Sequence, residues 1–435
     1  MTGLDQHLTL PCGVRLKNRF AKAAMTEGLA DPSNRATDRH ATLYRRWAEG
    51  GAGLLLTGNV MVDRRYLERP GNVVIDGDQS PDRMSALAAS ANAAHEGGAA
   101  VWMQLSHAGR QSPKIVAAEP VGPSAVQVKL PGGQFGAPRA LSGGEAEDVV
   151  ARFANAASVA KEAGFDGVQV HAAHGYLISE FLNPLVNLRT DEWGGSLENR
   201  ARLLTRTVEA VRAKVGSGFP VSVKLNSSDF QRGGFGFEDC LKVVAMLDDR
   251  GVDLIEISGG NYEQPRMMGI EGLEPVFEEA VRASTRAREA YFIQYAEEVA
   301  RIARAPLMVT GGFRTRAAMD EALSSGAAAV IGVARPLCVE PDLPKRLLAG
   351  KIDALPAFEK SLRIGPGVLG PNSPVAMVKA INGFASMAFY YQNIYRLADG
   401  KEALASMPLL PAFLRHQSQE AATARGLANR QPVGG

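Results

Sequence analysis

The chain has 435 residues, of which 46% are apolar and 22% charged, a composition typical of a globular protein with one large core or two ordinary ones. A net charge of +2, without any long Lys/Arg block, argues against nucleic acid or a membrane surface as partner and favours small-molecule ligands. Three widely separated cysteines support neither a disulfide framework nor an iron–sulfur site, and we find no export signal or membrane span, so we expect a cytoplasmic protein.

Short apolar runs alternate along the chain with longer amphipathic runs. The apolar runs predict strands over residues 19–25, 52–58, 99–105, 167–171, 220–225, 254–258, 306–310 and 328–332. The amphipathic runs predict helices over residues 38–49, 81–95, 145–163, 196–214, 237–249, 290–303 and 316–324. Eight such alternations predict an α/β fold, and they favour a closed (β/α)8 TIM barrel over an open doubly wound sheet. No Gly-x-Gly-x-x-Gly motif opens a predicted helix, so a dinucleotide-binding Rossmann unit is not expected.

Two insertions and a C-terminal extension depart from this alternation. Residues 111–144 and 261–289 follow predicted strands, and loops of this length are often lids or substrate-binding elements; passive surface hairpins are the alternative. We place the barrel domain at residues 1–350. Residues 351–435 predict a helical extension with an aromatic stripe, which is more often packing surface than cofactor site. We expect it to dock on the barrel or on a sister subunit, which leaves a homo-oligomer open.

The end of the fourth predicted strand carries most of the candidate chemistry. The strand ends at His171, and His174 and Tyr176 follow on the next loop, where barrel enzymes keep their reactive groups. A metal pair would need a third ligand, such as Glu180 or His107, and the H-x-x-H spacing is not that of helical zinc sites, so we expect no metal. Two structural histidines are a second interpretation. The one we favour is a pair of imidazole donors aimed at an oxygen, with Tyr176 as a weak acid beside them.

The ends of the seventh and eighth predicted strands indicate a phosphate site. Gly311 and Gly312 follow strand seven, and Ala334 and Arg335 follow strand eight. Glycines leave backbone N–H groups free to approach a phosphate, and a guanidinium offers a fork of donors to its oxygens. Tight turns with a surface arginine are the alternative. A barrel phosphate site without a dinucleotide motif indicates a mononucleotide or a phosphorylated substrate.

Three segments of the sequence resemble a known family. They are QLSHAGRQ from Gln104, HAAHGYLISEFLNPLVNLRTDEWGGSLENR from His171, and the GGFRT and ARPL pieces at the end of the predicted barrel. In order and spacing they resemble the old yellow enzyme family of FMN-dependent NAD(P)H oxidoreductases, from about Leu10 to about Leu348. The motifs are long and specific, so the resemblance implies FMN as cofactor and NAD(P)H as reductant.

The resemblance also implies which residues hold the flavin. Ala24, Met25 and Thr26 match the segment that lines the flavin, with Thr26 near its O4 and N5 atoms. Gly58 and Gln104 match residues that contact its pyrimidine edge. The residues that fall in the phosphate-binding segments are Gly311, Gly312, Ala334 and Arg335.

The remaining implied roles concern the substrate and one departure from the family pattern. His171 and His174 match the pair that binds the substrate's carbonyl oxygen, with His171 also beside the flavin, and Tyr176 matches the proton donor. Lys224 stands where many members have an arginine facing flavin N1 and O2. A lysine keeps the positive charge but loses the bidentate fork.

The function that the resemblance implies is reduction of the C=C bond of α,β-unsaturated carbonyl compounds (enones) with hydride from NAD(P)H. Two alternatives stay open from the residues. One is a flavin-binding protein with a different electron acceptor or little turnover. The other is a phosphate-binding barrel lyase or isomerase, which would be colourless and would not need the segment of residues 24–26. The sequence does not distinguish NADH from NADPH.

Overall fold

Eight parallel strands form the centre of the computed structural model, which describes residues 3–130, 133–259 and 293–428. The strands are β1 (Phe20–Lys22), β2 (Leu54–Leu56), β3 (Ala100–Ser106), β4 (Gly167–Ala172), β5 (Val221–Asn226), β6 (Leu254–Ser258), β7 (Leu307–Thr310) and β8 (Val330–Val333). Each strand pairs with the next along the chain, and β8 pairs with β1, so the sheet closes. The predicted (β/α)8 barrel is confirmed, although β1 and β2 are shorter than predicted.

Helices surround this barrel. They are α1 (Asp38–Glu49), α2 (Pro81–Glu96), α3 (Gly143–Glu162), α4 (Leu177–Leu182), α5 (Leu197–Val215), α6 (Phe237–Asp248), α7 (Ile293–Ala300), α8 (Arg316–Ser324), α9 (Leu343–Leu348), α10 (Ala376–Ala398) and α11 (Leu409–Ala428). Local sequence sets their ends: at α3, Ser142 Oγ accepts from the N–H of Glu145, whose carboxylate accepts from the N–H of Ser142 at 2.8 Å. The seven helices predicted around the barrel are present, and the sixth of them, predicted over residues 290–303, is described from residue 293. We did not predict α4, α9 and α11.

The amino-terminal half of the barrel interior is filled by apolar side chains. Alternate residues of a strand point to the same side, so one set of positions meets inside. This apolar layer consists of Leu10, Leu16, Ala21, Ala23, Leu54, Leu56, Trp102, Leu254, Met308 and Val330. Leu10 and Leu16 belong to an antiparallel hairpin (Leu8–Thr9 with Arg15–Leu16), which therefore closes this end of the barrel.

Two residues further along the same strands, the interior becomes polar. Gln104 follows Trp102 on β3, and Glu256 follows Leu254 on β6. We call Gln104, Gln169, Lys224 and Glu256 the polar layer; all four are at most 4% exposed. The change from apolar to polar occurs on the way to the carboxyl ends of the strands, which is the side of the barrel that carries the candidate site.

The C-terminal helices lie against the barrel. Arg39 on α1 donates to Asp399 at 2.7 Å, and Arg69 lies 4.1 Å from the centre of the Tyr391 ring on α10. Tyr391 in turn stacks on His416 of α11, with 4.8 Å between ring centres. The aromatic stripe is therefore packing surface here. The division of the chain at residue 350 and any subunit interface stay predictions.

The first insertion contacts the segment between α4 and α5. It contains a short parallel pair, Val121–Gly122 with Arg139–Ala140, and Ser124 Oγ accepts from the N–H of Leu188 at 3.0 Å. The second predicted insertion, residues 261–289, lies outside the described residues. Among the helices of residues 3–130, 133–259 and 293–428, none combines the length and apolar character needed to cross a membrane. The cytoplasmic location stays a prediction.

Candidate active site

His171 lies near the carboxyl end of β4 and is 4% exposed. The N–H of Ala173 donates to its Nδ1 at 3.2 Å, so the neutral ring carries its proton on Nε2. Burial, and the charge of its neighbour Lys224, hold the pKa of His171 well below its usual range. His171 is therefore a neutral imidazole, and its Nε2 has no hydrogen-bond partner among the described residues.

His174 is held in a backbone conformation that non-glycine residues seldom adopt, with φ at 62°. Asn226 Oδ1, at the end of β5, accepts from its N–H at 3.2 Å. Gln111 Nε2, from the first insertion, donates to its carbonyl oxygen at 3.0 Å. Such strain, roughly 1 to 3 kcal/mol, persists only where the surroundings fix it, and here two separate segments hold the backbone of His174.

The two histidine rings lie side by side, with 5.2 Å between centres and planes at 79°. His174 Nε2 is 2.7 Å from Ser258 Oγ at the end of β6. Burial, together with the charges of Lys224 and His171, holds the pKa of His174 well below its usual range. If the Ser258 hydroxyl donates to Nε2, the proton of this neutral ring stays on Nδ1, and both rings offer one N–H.

The Tyr176 ring lies edge-on to His171, with 4.8 Å between centres. Asn59, just after β2, donates through Nδ2 to Tyr176 Oη at 3.2 Å and to Thr26 Oγ1 at 3.3 Å. An amide N–H only donates, so this contact does not use the hydroxyl hydrogen of Tyr176. Asn59 thus bridges the expected proton donor and an expected flavin contact.

The segment expected to line the flavin, residues 24–26, is half-buried beyond the end of β1. Gly58 lies directly against it: a Cβ on Gly58 would be 2.5 Å from Met25 O and from Thr26 Cα, so no larger residue fits without displacing backbone. The Gly58 N–H donates to Glu27 Oε1 at 2.8 Å. The carboxylate of Glu27 therefore holds the two expected contact segments together.

The polar layer is connected by hydrogen bonds across four strands. Lys224 Nζ lies 2.8 Å from Glu256 Oε1, its register neighbour on β6, and these side chains are 5% and 0% exposed. Gln169 Nε2 donates to Glu256 Oε2 at 2.9 Å. Gln104 Nε2 donates to Gln169 Oε1 at 2.7 Å. Two expected flavin contacts, Lys224 and Gln104, are thus tied to one buried carboxylate.

The expected phosphate residues meet at neighbouring strand ends. Gly311 and Gly312 follow β7 with φ at 109° and 84°, which glycine adopts without strain. Ala334 and Arg335 follow β8 and are half-buried. Arg335 makes no hydrogen bond or ion pair with another described residue, whereas the neighbouring Arg314 is ion-paired. A free guanidinium and two glycine N–H groups that follow neighbouring strands suit a phosphate.

The sequence matches a known protein family over most of its length. The model of the NADH:flavin oxidoreductase / NADH oxidase family matches residues 9–353. The chain belongs to this family, the old yellow enzyme family. It is accordingly a flavin oxidoreductase with FMN as cofactor and NADH or NADPH as reductant.

Individual relatives agree with this. The "NADH-dependent flavin oxidoreductase iliE" of Hypocrea jecorina (strain QM6a) is 38% identical over 361 residues and is aligned over 78% of this chain and 88% of its own length. The protein of the same name from Neonectria sp. (strain DH2) is also 38% identical, but this chain spans 46% of its length. The structure of an old yellow enzyme homologue from Zymomonas mobilis is 28% identical, with a TM-score of 0.67, covering 81% of this chain and 94% of the homologue.

The residues of this old yellow enzyme family member fit FMN. A planar ring needs an accessible surface to pack on. Residues 24–26 offer one, because they are half-buried while the residues on either side of them in the sequence are buried. Two buried polar atoms at the rim, Asn59 Oδ1 and Thr310 Oγ1, have no hydrogen-bond partner among the described residues. Arg335 is likewise unpaired at the phosphate end. FMN would thus lie between the Gly58 side of the rim and Arg335.

A metal at the histidines finds no support in the described residues. Glu180 accepts from the N–H of Arg110 at 2.9 Å, and His107 Nδ1 accepts from the N–H of Gly109 at 3.1 Å. Burial also lowers the pKa of His107 to about 4. Within the described ranges, no group of three or more His, Cys, Asp or Glu side chains could hold a metal ion.

The structure adds polar residues to which the sequence analysis gave no role in the site. They support the expected site residues and are Asn59, Gln111, Gln169, Asn226, Glu256 and Ser258. Their one signal in the sequence is a polar side chain inside or just beyond an apolar strand, as with Glu256 in LIEIS. This signal marks a polar side chain in an unusual position, but it does not reveal the hydrogen-bond partner of that side chain, which belongs to another strand.

Proposed function

We propose that the chain is an ene-reductase, which uses NAD(P)H to reduce the C=C bond of enones, with Tyr176 as proton donor and His171 and His174 as carbonyl ligands. The observation that carries this proposal is the grouping of two neutral imidazoles and one phenol at the carboxyl end of β4, with ring centres 4.8 and 5.2 Å apart. FMN, when bound, would supply the hydride transfer from NAD(P)H to the β-carbon of the enone.

The histidines hold the carbonyl oxygen of the enone. His171 offers Nε2–H, and His174 offers Nδ1–H when Ser258 occupies its Nε2. Both pKa values are held well below the usual range, so at neutral pH the rings donate hydrogen bonds without transferring a proton. As the β-carbon gains hydride, negative charge develops on the oxygen. Donors placed for that charge stabilise the transition state, each typically by a factor of about 100 or more in rate.

Tyr176 supplies the proton that completes the reduction. Its O–H bond breaks as a C–H bond forms at the α-carbon, and the resulting phenolate recovers a proton from solvent. Asn59 Nδ2 donates to Tyr176 Oη, which favours the oxygen as it becomes negative. General acid catalysis of this kind contributes a factor of about 10² to 10⁴.

The test is a product assay under anaerobic conditions. The purified holoenzyme is mixed with NADH or NADPH and 2-cyclohexenone, and cyclohexanone is measured by gas chromatography. We expect stoichiometric cyclohexanone from the parent and at least 100-fold slower formation in His171→Ala and His174→Ala that still bind FMN. Rapid NADH consumption in air without cyclohexanone under nitrogen would show a different electron acceptor and contradict the proposal. A colourless protein without turnover would favour the lyase or isomerase.

A further inference from the structure

A buried carboxylate inside the barrel has no role in the chemistry described so far. Glu256 is 0% exposed and lies 2.8 Å from Lys224, whose side chain is 5% exposed. Taking two charges out of water is unfavourable, and a well-packed apolar pair is often at least as stable as a buried ion pair. The same strands show that apolar packing is available, because Leu254 lies inside the barrel two residues before Glu256. Stability alone therefore does not explain the pair.

The carboxylate sets the direction of a series of hydrogen bonds. An ionised carboxylate only accepts, so Gln169 must turn its Nε2 toward Glu256. Its Oε1 is then left to accept from Gln104 Nε2. We call Gln104, Gln169 and Glu256 the amide relay. The relay leaves Gln104 Oε1 with no partner among the described residues.

The same carboxylate restrains a cation. Lys224 has a flexible side chain and a point charge in place of the arginine fork that many family members have here. Lys224 and Glu256 are register neighbours on β5 and β6, so their side chains share the inner face of the barrel. The ion pair fixes the ammonium group and opposes its charge.

We propose that Glu256 is the positioning residue for the pyrimidine side of FMN: it orients the amide of Gln104 through Gln169 and limits the positive charge that Lys224 presents. The inference rests on the proposed function only in placing Lys224 and Gln104 beside FMN. Its consequence is a flavin that is harder to reduce than Lys224 alone would make it, because positive charge nearby favours reduced, anionic flavin.

The test measures the reduction equilibrium of bound FMN by anaerobic spectroelectrochemistry. Glu256→Gln keeps the shape but removes the charge. We expect the equilibrium of this variant to shift at least tenfold toward reduced FMN, about 30 mV for two electrons. Asp253→Asn is the matched control: Asp253 is 2% exposed and ion-paired with Arg212 at 2.5 Å, but it precedes β6 at the opposite end of the barrel. It should leave the equilibrium within about twofold of the parent.

Two further variants separate charge from orientation. Gln169→Met breaks the amide relay and leaves the ion pair. FMN should therefore bind this variant severalfold more weakly than the parent, while the reduction equilibrium of bound FMN stays within about twofold of the parent. The double variant Lys224→Met/Glu256→Gln removes both charges, and its flavin should be at least tenfold harder to reduce than that of Glu256→Gln.

The outcomes are decisive in each direction. An equilibrium for Glu256→Gln within twofold of the parent, or an equal shift in Asp253→Asn, would overturn the inference. If Glu256→Gln does not hold FMN, unchanged FMN affinity in Gln169→Met overturns it instead. Enone turnover is not a readout, so a protein that shows the shift but makes no cyclohexanone would lose the proposed function and keep this inference.

Discussion

The interior of the barrel has two levels built from the same strands, and they differ in chemistry. At the amino-terminal end, Trp102 and Leu254 belong to a closed apolar layer. Two residues further along, Gln104 and Glu256 belong to a hydrogen-bonded polar layer. One step of the strand alternation thus separates a part of the molecule that provides stability from a part that orients groups toward a ligand. The difference shows that burial alone does not identify a structural residue.

The two levels also differ in the interactions that their side chains need. Members of the apolar layer contact neighbours from several strands and need only to fill space. In the polar layer each group needs a specific partner, because a buried polar group without one destabilises the fold by about 1 to 3 kcal/mol. Positions in the polar layer therefore tolerate fewer amino-acid substitutions, although they contribute less to the hydrophobic stabilisation of the fold.

The largest effect on stability is expected from the apolar layer. Trp102 is fully buried, and Trp102→Ala should lower the free energy of unfolding by about 3 to 5 kcal/mol because it leaves a cavity. Gln104→Leu, on the same strand, should lower it by about 1 to 3 kcal/mol, since Gln169 Oε1 loses its donor. Denaturant unfolding measures both.

FMN affinity should show the opposite order in the same pair of variants. Gln104→Leu should weaken FMN binding at least tenfold, and Trp102→Ala, when folded, severalfold at most. Fluorescence titration of apoprotein with FMN gives both constants. Equal losses of affinity would remove the distinction between the two layers.

The second expected effect is a loss of folding stability at acid pH. It arises at the carboxyl ends of the barrel strands and not in the apolar layer. His107, His171 and His174 all have lowered pKa values because of burial, and His107 falls from 6.5 to about 4. As the pH falls below 6.5 the unfolded chain takes up protons that the folded chain resists. Stability is therefore lost as the pH falls from about 6.5 to 4. Each unit of pKa shift corresponds to about 1.4 kcal/mol, so His107 alone should lower the free energy of unfolding on the order of 3 kcal/mol.

Thermal unfolding across this pH range checks the prediction. His107→Asn retains an acceptor for the N–H of Gly109 but does not titrate, so its stability should depend less steeply on pH. His7→Asn, at an exposed histidine, is the matched control and should keep the slope of the parent. The same slope in all three proteins would contradict the assignment of the acid effect to His107.

A smaller effect is expected from the hydrogen bond between Ser258 and His174. Ser258→Ala removes the 2.7 Å contact at Nε2 and lets the proton of the ring move to that atom. A neutral hydrogen bond contributes about 1 kcal/mol, so enone turnover should fall about fivefold to tenfold, with reduction by NADH unchanged. Ser222→Ala removes an equally buried hydroxyl on β5 that has no partner among the described residues, and its turnover should match the parent. Loss of turnover in both would point to general disruption.

The smallest effect lies outside both layers, at the capping box of α3. Arg139, followed by the N–H of Ser142, lowers the pKa of Glu145 to about 2. The stabilisation is therefore present above about pH 4.5 and is lost as the pH falls toward 2. Because the side chain is 39% exposed, Glu145→Ala should lower the free energy of unfolding by only about 0.5 to 1 kcal/mol at pH 7. Glu147 forms an exposed ion pair on the same helix, so Glu147→Ala should lower the free energy of unfolding by only about 0.2 to 0.4 kcal/mol. A larger loss in Glu147→Ala than in Glu145→Ala would contradict the role of Glu145 as a cap.

The sequence predicted the barrel because periodicity is local. Eight apolar runs and the helices between them needed no knowledge of distant contacts, and the strand ends then placed His171 and Arg335 on one face. We missed α11, although its Leu409 is buried, because its apolar positions make no regular stripe. The supporting contacts of the site were not predictable in the same way. Whether Glu256 meets Lys224 depends on strand register in three dimensions, which alternation along one strand does not specify.

The proposed reaction requires Tyr176 as proton donor, and stopped-flow absorbance of the flavin in Tyr176→Phe tests this role. We expect reduction by NADH within twofold of the parent, and reoxidation by 2-cyclohexenone slower by a factor of about 10² to 10⁴. Tyr295→Phe, which removes a hydroxyl on α7, is the control and should match the parent in both half-reactions. Reoxidation of Tyr176→Phe at the parent rate would contradict the proposed site.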